Sequence, residues 1–117
     1  MLMKWFFWNV RGMNKRYKQK EINLLLQKNR VNLAGLIETR IKEKNVKTIL
    51  KGIAPGWKML HNYTDSPNGR IWFIRDDNWY EIKMINSSAQ ILHCQVNERS
   101  KYYQFILIVV YGFNTVE

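Results

Sequence analysis

The residues best placed for chemistry stand where apolar runs stop. Asn9 follows Phe6-Phe7-Trp8, Glu38 follows Leu36-Ile37, and Tyr111 and Asn114 follow Val109-Val110. In an open α/β sheet, ligands bind outside the carboxyl ends of the strands. A carboxylate with an amide beside it offers hard oxygens to a divalent cation. Mg²⁺ takes one or two carboxylates and completes its shell with water and phosphate oxygens. Taken singly, each of these residues reads more simply as a strand-end cap or a turn residue. Only the three strand ends together suggest a site, and spacing alone does not decide between the two readings.

Other polar groups fit ordinary structural roles. Asp76-Asp77-Asn78 lies between two apolar runs and is a turn signal. His61 falls in a strand. His93 and Cys94 are adjacent in another strand, so their side chains point to opposite faces and are poorly placed to share a ligand. The five Met residues follow no regular spacing and read as core filler.

The elements that must position these residues change character along the chain. Trp5–Val10 is a short apolar run without helical period, read as a strand buried on both faces. Asn14 is placed to cap a helix over Arg16–Asn29, whose apolar stripe comprises Tyr17, Ile22, Leu24, Leu25 and Leu26. Leu33–Ile37 is a second buried run. Val46, Ile49, Leu50 and Ile53 then repeat at i, i+3, i+4, i+7, which predicts a helix over Glu43–Ile53, stopped by Pro55-Gly56. Strand–helix–strand–helix implies parallel strands covered by helices. After residue 56 the pattern becomes a β-meander, with strands over Trp57–Tyr63, Arg70–Ile74, Trp79–Ile85, Gln90–Val96 and Tyr102–Tyr111. No Pro/Gly/Ser-rich linker interrupts the chain, so it reads as one α/β (α+β) unit.

Composition narrows the function classes. A chain of 117 residues has room for one domain. At 46% apolar and 14% aromatic it is neither a disordered tail nor collagen-like. One cysteine, Cys94, cannot form an internal disulfide, and the apolar runs at Trp5–Trp8 and Phe105–Tyr111 are too short to span a bilayer. The start lacks the pattern of a signal peptide, so the expected location is nuclear or cytoplasmic, not secreted, with no membrane partner. The net charge of +10 is strongly asymmetric. Residues 1–60 hold fourteen Lys/Arg against three Glu, whereas residues 61–117 hold five against six acidic groups. A basic half of this kind suits a polyanion, nucleic acid first and an anionic surface second; a solvated basic helix face is the plainer alternative.

Four blocks carry a resemblance. They are Phe6-Phe7-Trp8-Asn9-Val10-Arg11-Gly12-Met13-Asn14, Gly35-Leu36-Ile37-Glu38-Thr39-Arg40, Asn68-Gly69-Arg70-Ile71-Trp72, and Val110-Tyr111-Gly112-Phe113-Asn114. In this order and at these intervals the chain resembles the apurinic-type endonuclease domain of LINE (non-LTR) retrotransposons, the plant version in particular. That domain belongs to the endonuclease/exonuclease/phosphatase superfamily, with a DNase I-like fold. The resemblance implies the N-terminal half of a four-layer α/β/β/α sandwich, with a mixed sheet carrying two helices on one face. It implies Mg²⁺-assisted hydrolysis of a DNA phosphodiester. By the same resemblance, Asn9 orients the metal-binding carboxylate and joins it at the metal, Glu38 is the Mg²⁺ ligand, and Tyr111 and Asn114 approach the scissile phosphate. Arg11 stands where many relatives carry an acidic residue and is expected to contact phosphate, together with Lys15 and Arg40.

The resemblance also sets out what these 117 residues lack. The family's second half brings a Gly-Asp-Phe-Asn-like motif, whose Asp orients the attacking water, and a Ser-Asp-His motif. No Asp-His pair occurs here. Residues 1–117 therefore read as a partial domain without the C-terminal half. The chain is expected to be inactive as a nuclease, to hold Mg²⁺ weakly or not at all, and to leave bare the inner face of a single sheet. Trp5, Phe7, Phe105, Leu107 and Val109, or their alternating neighbours, would form that face, and self-association through it is expected. The alternatives are a basic nucleic-acid-binding module without catalysis, using such residues as Lys15, Arg16, Lys18, Lys20, Arg40, Lys42 and Lys44, and an interaction fragment.

Overall fold

Alternation with a period of two gives every strand of the first sheet two working faces. The computed structural model describes residues 4–66, 71–100 and 104–110. The strands are β1 (Trp5–Asn9), β2 (Leu33–Ile37), β3 (Lys58–His61), β4 (Ile71–Arg75), β5 (Tyr80–Ser87), β6 (Ile91–Glu98) and β7 (Gln104–Val110). The helices are α1 (Arg16–Lys28) and α2 (Val46–Ile53). Strands β1–β4 form a mixed sheet in the order β1-β2-β4-β3, with β1 and β2 parallel. Strands β5–β7 form a second, antiparallel sheet.

One face of the first sheet takes the helices. Ala34 and Leu36 of β2 and Trp72 and Ile74 of β4 pack with Ile22 and Leu26 of α1 and Ile53 of α2. Ile22 and Leu26 lie one turn apart and form the buried stripe of α1. Asn23 Nδ2 ties the two helices by donating to the Ile53 carbonyl at 2.7 Å. The first turn of the expected second helix is a 3₁₀ turn over Glu43–Asn45, closed by Asn45 N–H donating to the Lys42 carbonyl at 2.9 Å.

The opposite face takes the second sheet. Leu33, Ile71 and Phe73 meet Tyr80, Ile82, Leu92, Cys94, Val96 and Val109 in a continuous core. Trp5 joins the layers: its Nε1 donates to the Tyr80 hydroxyl at 3.0 Å, and its ring stands edge-on to Phe105 at 5.6 Å. The described residues thus build helices, sheet and sheet, in three layers.

Three expectations need correction. Only the first two strands of the meander, β3 and β4, extend the first sheet; β5–β7 fold back as their own sheet and cover its inner face. Val109 is therefore buried, and Trp5, Phe105 and Leu107 pack against the inter-sheet core, leaving Phe7 as the exposed member of that set. The bare apolar side chains lie instead on the outer face of β7, where Ile106 is 61% exposed beside Ile108 and Val110. Strand β1 is not buried on both faces, because it is an edge strand; only β2 and β4 are central. Asn14 does not cap α1. Its side chain donates to the Arg40 carbonyl at 2.9 Å, and the residue before the helix is Lys15, without a side-chain cap. Among the described residues no helix is long and apolar enough to cross a membrane.

The two sets of apolar residues predict opposite responses. Trp72→Ala removes a fully buried ring between sheet and helices and is expected to cost about 3–5 kcal/mol in urea unfolding. Ile108→Thr on the open face should stay within about 0.5 kcal/mol. Burial also pushes the Cys94 thiol up to about 11. A thiol-reactive disulfide reagent at pH 8 is therefore expected to modify Cys94 only when the protein is unfolded.

Candidate active site

Parallel pairing brings the first two strand ends together. The register sets Asn9 opposite Ile37, the residue before Glu38. The pairing then runs on past the strands. Val10 N–H donates to the Ile37 carbonyl at 2.9 Å, Gly12 N–H to Glu38 at 2.6 Å and Met13 N–H to Thr39 at 3.0 Å. To keep this lacing, Arg11, Glu38 and Arg40 adopt left-handed backbone angles, with φ of 51°, 61° and 56°, and Gly12 takes 88°. Non-glycine residues in this region are uncommon, and such outliers gather at functional sites. Gly12 suits its position by that angle; a Cβ there would stand 3.3 Å from Cδ of the exposed Arg40 side chain, which is free to shift slightly.

The side chains follow from that backbone. Asn9 Oδ1 accepts the Arg11 N–H at 3.1 Å. The Glu38 carboxylate, largely shielded, accepts from the guanidinium of the exposed Arg40. Beyond this pair, Arg11, Lys15, Lys18 and Arg40 line an open groove of about 350 Å³ at the start of α1. The structure thus brings Arg11, Lys15 and Arg40 to one groove and sets Asn9 and Glu38 at adjoining strand ends. Tyr111 and Asn114 lie outside the described residues.

A buried network holds the loop after Glu38. The Tyr63 hydroxyl donates to the Ile41 carbonyl at 2.7 Å and accepts from Trp72 Nε1 at 3.0 Å. It also has a side-chain hydrogen bond with Thr39. Burial raises the Tyr63 pKa, while the bonds from Trp72 and Thr39 act in the opposite sense. Tyr63 carries no motif, and sequence reading missed it. The one available signal is its place just beyond an amphipathic strand, which does not reveal a long-range partner.

The donor set for a cation is small. Glu38 and Asn9 provide one carboxylate and one amide oxygen, both hard ligands. Among the described residues there is no cluster of three or more His, Cys, Asp or Glu able to hold a metal. Asp77 is engaged elsewhere, 3.3 Å from Lys58 Nζ and 2.9 Å from Arg99 Nη2, and its hydrogen bond from Arg99 lowers its pKa. His61 faces Tyr63, with ring centroids 4.8 Å apart, and its Nδ1 accepts the Tyr63 N–H at 3.3 Å.

Solved structures share this fold. The endonuclease domain of TRAS1, a telomere-specific non-LTR retrotransposon, superposes with a TM-score of 0.66 at 12% identity, over 92% of this chain and 44% of that one. An endonuclease/exonuclease/phosphatase from Bacteroides vulgatus gives 0.60 at 10% identity, over 90% of this chain and 50% of its own. A protein of the same family from Bacteroides thetaiotaomicron gives 0.55 at 11%, over 88% and 48%. The chain spans about half the length of these structures. It has their DNase I-like α+β fold over that half. No family model and no curated protein matches the sequence.

The loop network yields a test. Tyr63→Phe leaves the Ile41 carbonyl and the Trp72 N–H without their buried partner. It is expected to destabilise the fold by about 1–3 kcal/mol in urea titration. Amide exchange of the Gly12 and Met13 N–H groups, which are held by the same loop, should accelerate.

Proposed function

We propose that this chain carries the phosphate-binding half of a Mg²⁺-dependent DNA endonuclease site of the LINE retrotransposon type. One observation supports this reading above the others. The left-handed, laced ends of β1 and β2 present Asn9 and Glu38 beside a groove of four cations, within a fold shared with a retrotransposon endonuclease domain.

In this reading Arg11, Lys15 and Arg40 bind the DNA backbone, giving affinity and register without base readout. Glu38 and Asn9 would hold Mg²⁺, with water and phosphate oxygens as the remaining ligands, and the ion when bound would polarise the phosphate. Arg40 orients the Glu38 carboxylate, and the Arg11 N–H fixes Asn9 Oδ1. A single carboxylate makes a poor cage, so Mg²⁺ affinity is low. The 117 residues contain no Asp-His pair to complete the reaction, so the chain by itself binds DNA without cutting it. A basic binding module with no metal dependence is the second reading, favoured by the groove's four cations, which can hold phosphates without a metal.

Supercoiled plasmid incubated with the chain, with Mg²⁺ or EDTA, tests this. The expected result is gel retardation without nicking. Retention should fall with added salt, at a slope of about −3 in the logarithms if about three phosphates are neutralised. Weak Mg²⁺ enhancement of retention, lost in Glu38→Ala, supports the endonuclease-derived site; retention indifferent to Mg²⁺ and to that substitution supports the plain binding module. Mg²⁺-dependent nicking abolished by Glu38→Ala would show that the chain assembles a working site and would overturn its proposed inactivity.

A further inference from the structure

Tyr17 is the residue in the groove that neither the fold nor the phosphate contacts explain. By its spacing it belongs to the apolar stripe of α1, yet it is 67% exposed, while Ile22 and Leu26 carry the burial of that helix. Among the described residues its ring meets no other aromatic ring, and its hydroxyl has no hydrogen-bond partner. It nevertheless lines the groove with Arg11, Lys15, Lys18 and Arg40.

We infer that Tyr17 is a stacking platform for an unpaired nucleobase, so that the groove takes single-stranded DNA, or DNA with an extruded nucleotide, in preference to closed duplex. This rests on the proposed reading of the groove as a DNA-phosphate site. Single strands are held by a combination of cations that track the backbone and aromatic rings on which bases stack, and the stacking tolerates any sequence because every base has a π-face. The groove contains both parts. In paired DNA the base faces are covered by their neighbours, and only their edges are open to a protein, so an exposed ring among phosphate-binding cations gains contact only from a base that has left the stack. The wall is also set for this. Lys18 Nζ lies 5.0 Å from the Trp8 ring centroid, which holds that side chain toward the first sheet. Arg40 is held by Glu38 on the other side. Tyr17 stands with neither constraint.

The test is fluorescence anisotropy of the 117-residue chain with three labelled probes of equal phosphate number. They are an oligothymidylate strand, the same strand built of abasic residues, and a blunt duplex. The oligothymidylate is expected to bind roughly 5- to 160-fold more tightly than the abasic strand, the range for one stacked base. Tyr17→Ala should bring it down to the abasic level, and Tyr17→Phe should retain the difference. Leu24→Ala, an exposed position on the same helix outside the groove, should leave all three affinities unchanged. Circular dichroism checks that each variant is folded. Equal binding of oligothymidylate and abasic strand by the unsubstituted chain would overturn the inference, as would Tyr17→Ala lowering both by the same factor. Either of these results leaves the DNA reading standing. Failure of all three probes to bind would overturn the DNA reading itself, and the stacking site with it.

Discussion

The site depends on the parallel pairing of β1 with β2. In a parallel pair both carboxyl ends lie on one side, so Asn9 and Glu38, 29 positions apart in sequence, arrive at the adjoining ends of neighbouring strands, which in a sheet lie about 4.8 Å apart. The helix α1 and its loops make this crossover possible. The pairing does not stop with the strands. Three further backbone hydrogen bonds join the loops after Asn9 and Ile37. These bonds force Arg11, Glu38 and Arg40 into backbone angles that cost on the order of 1–2 kcal/mol for an L-residue. Arg30 shares the left-handed angle, but it follows the C-terminus of α1, where one such residue is usual. At the strand ends the lacing itself, and not a helix terminus, accounts for the other three.

The layers on either side keep the pairing rigid. Gly35, opposite Phe7 in the β1–β2 register, has no room for a Cβ, which would lie 2.5 Å from the Phe7 ring. The ring therefore lies across β2 and covers a gap that a larger residue would fill. Trp5 closes the same edge against Tyr80 and Phe105 of the second sheet. On the helix side, Trp72 couples core packing to the site, because the indole that fills the core also donates to the hydroxyl that anchors the Glu38–Ile41 loop. Stability and site geometry here share the same atoms.

How much of this was legible from the residues follows from range. Strand β2 was read to the residue, because an unbroken apolar run bounded by polar residues has few alternatives. The ends of β1 and β2 pointed to Asn9 and Glu38 for the same reason. The helix stripe misled at Tyr17 and Leu24, since a 13-residue helix on one face of a sheet buries a narrower arc than its apolar residues span. The split into two sheets was not legible: alternation specifies faces but not which strands pair. Asn14 failed as a cap because a partner 26 residues away, the Arg40 carbonyl, competed for its amide. The Tyr63 network failed for the same reason, as its partners come from two other segments.

Charge placement connects the strained turns to the groove. Lys15, Arg16 and Lys18 crowd the N-terminal end of α1, where the helix dipole is positive and where no acidic residue stands in the first turn. This arrangement disfavours the isolated fold, since cations at that end oppose the dipole and one another. Arg11 and Arg40 add to it from the laced loops, and among the described residues only Arg40 of the two is paired with a carboxylate, that of Glu38. Charge repulsion of this kind is relieved by a polyanion whose phosphates lie along the groove, and the released counterions then favour association at low salt. Cationic crowding at the helix start thus supports the proposed reading of the groove as a phosphate site, while the laced, strained strand ends hold Asn9 and Glu38 next to it.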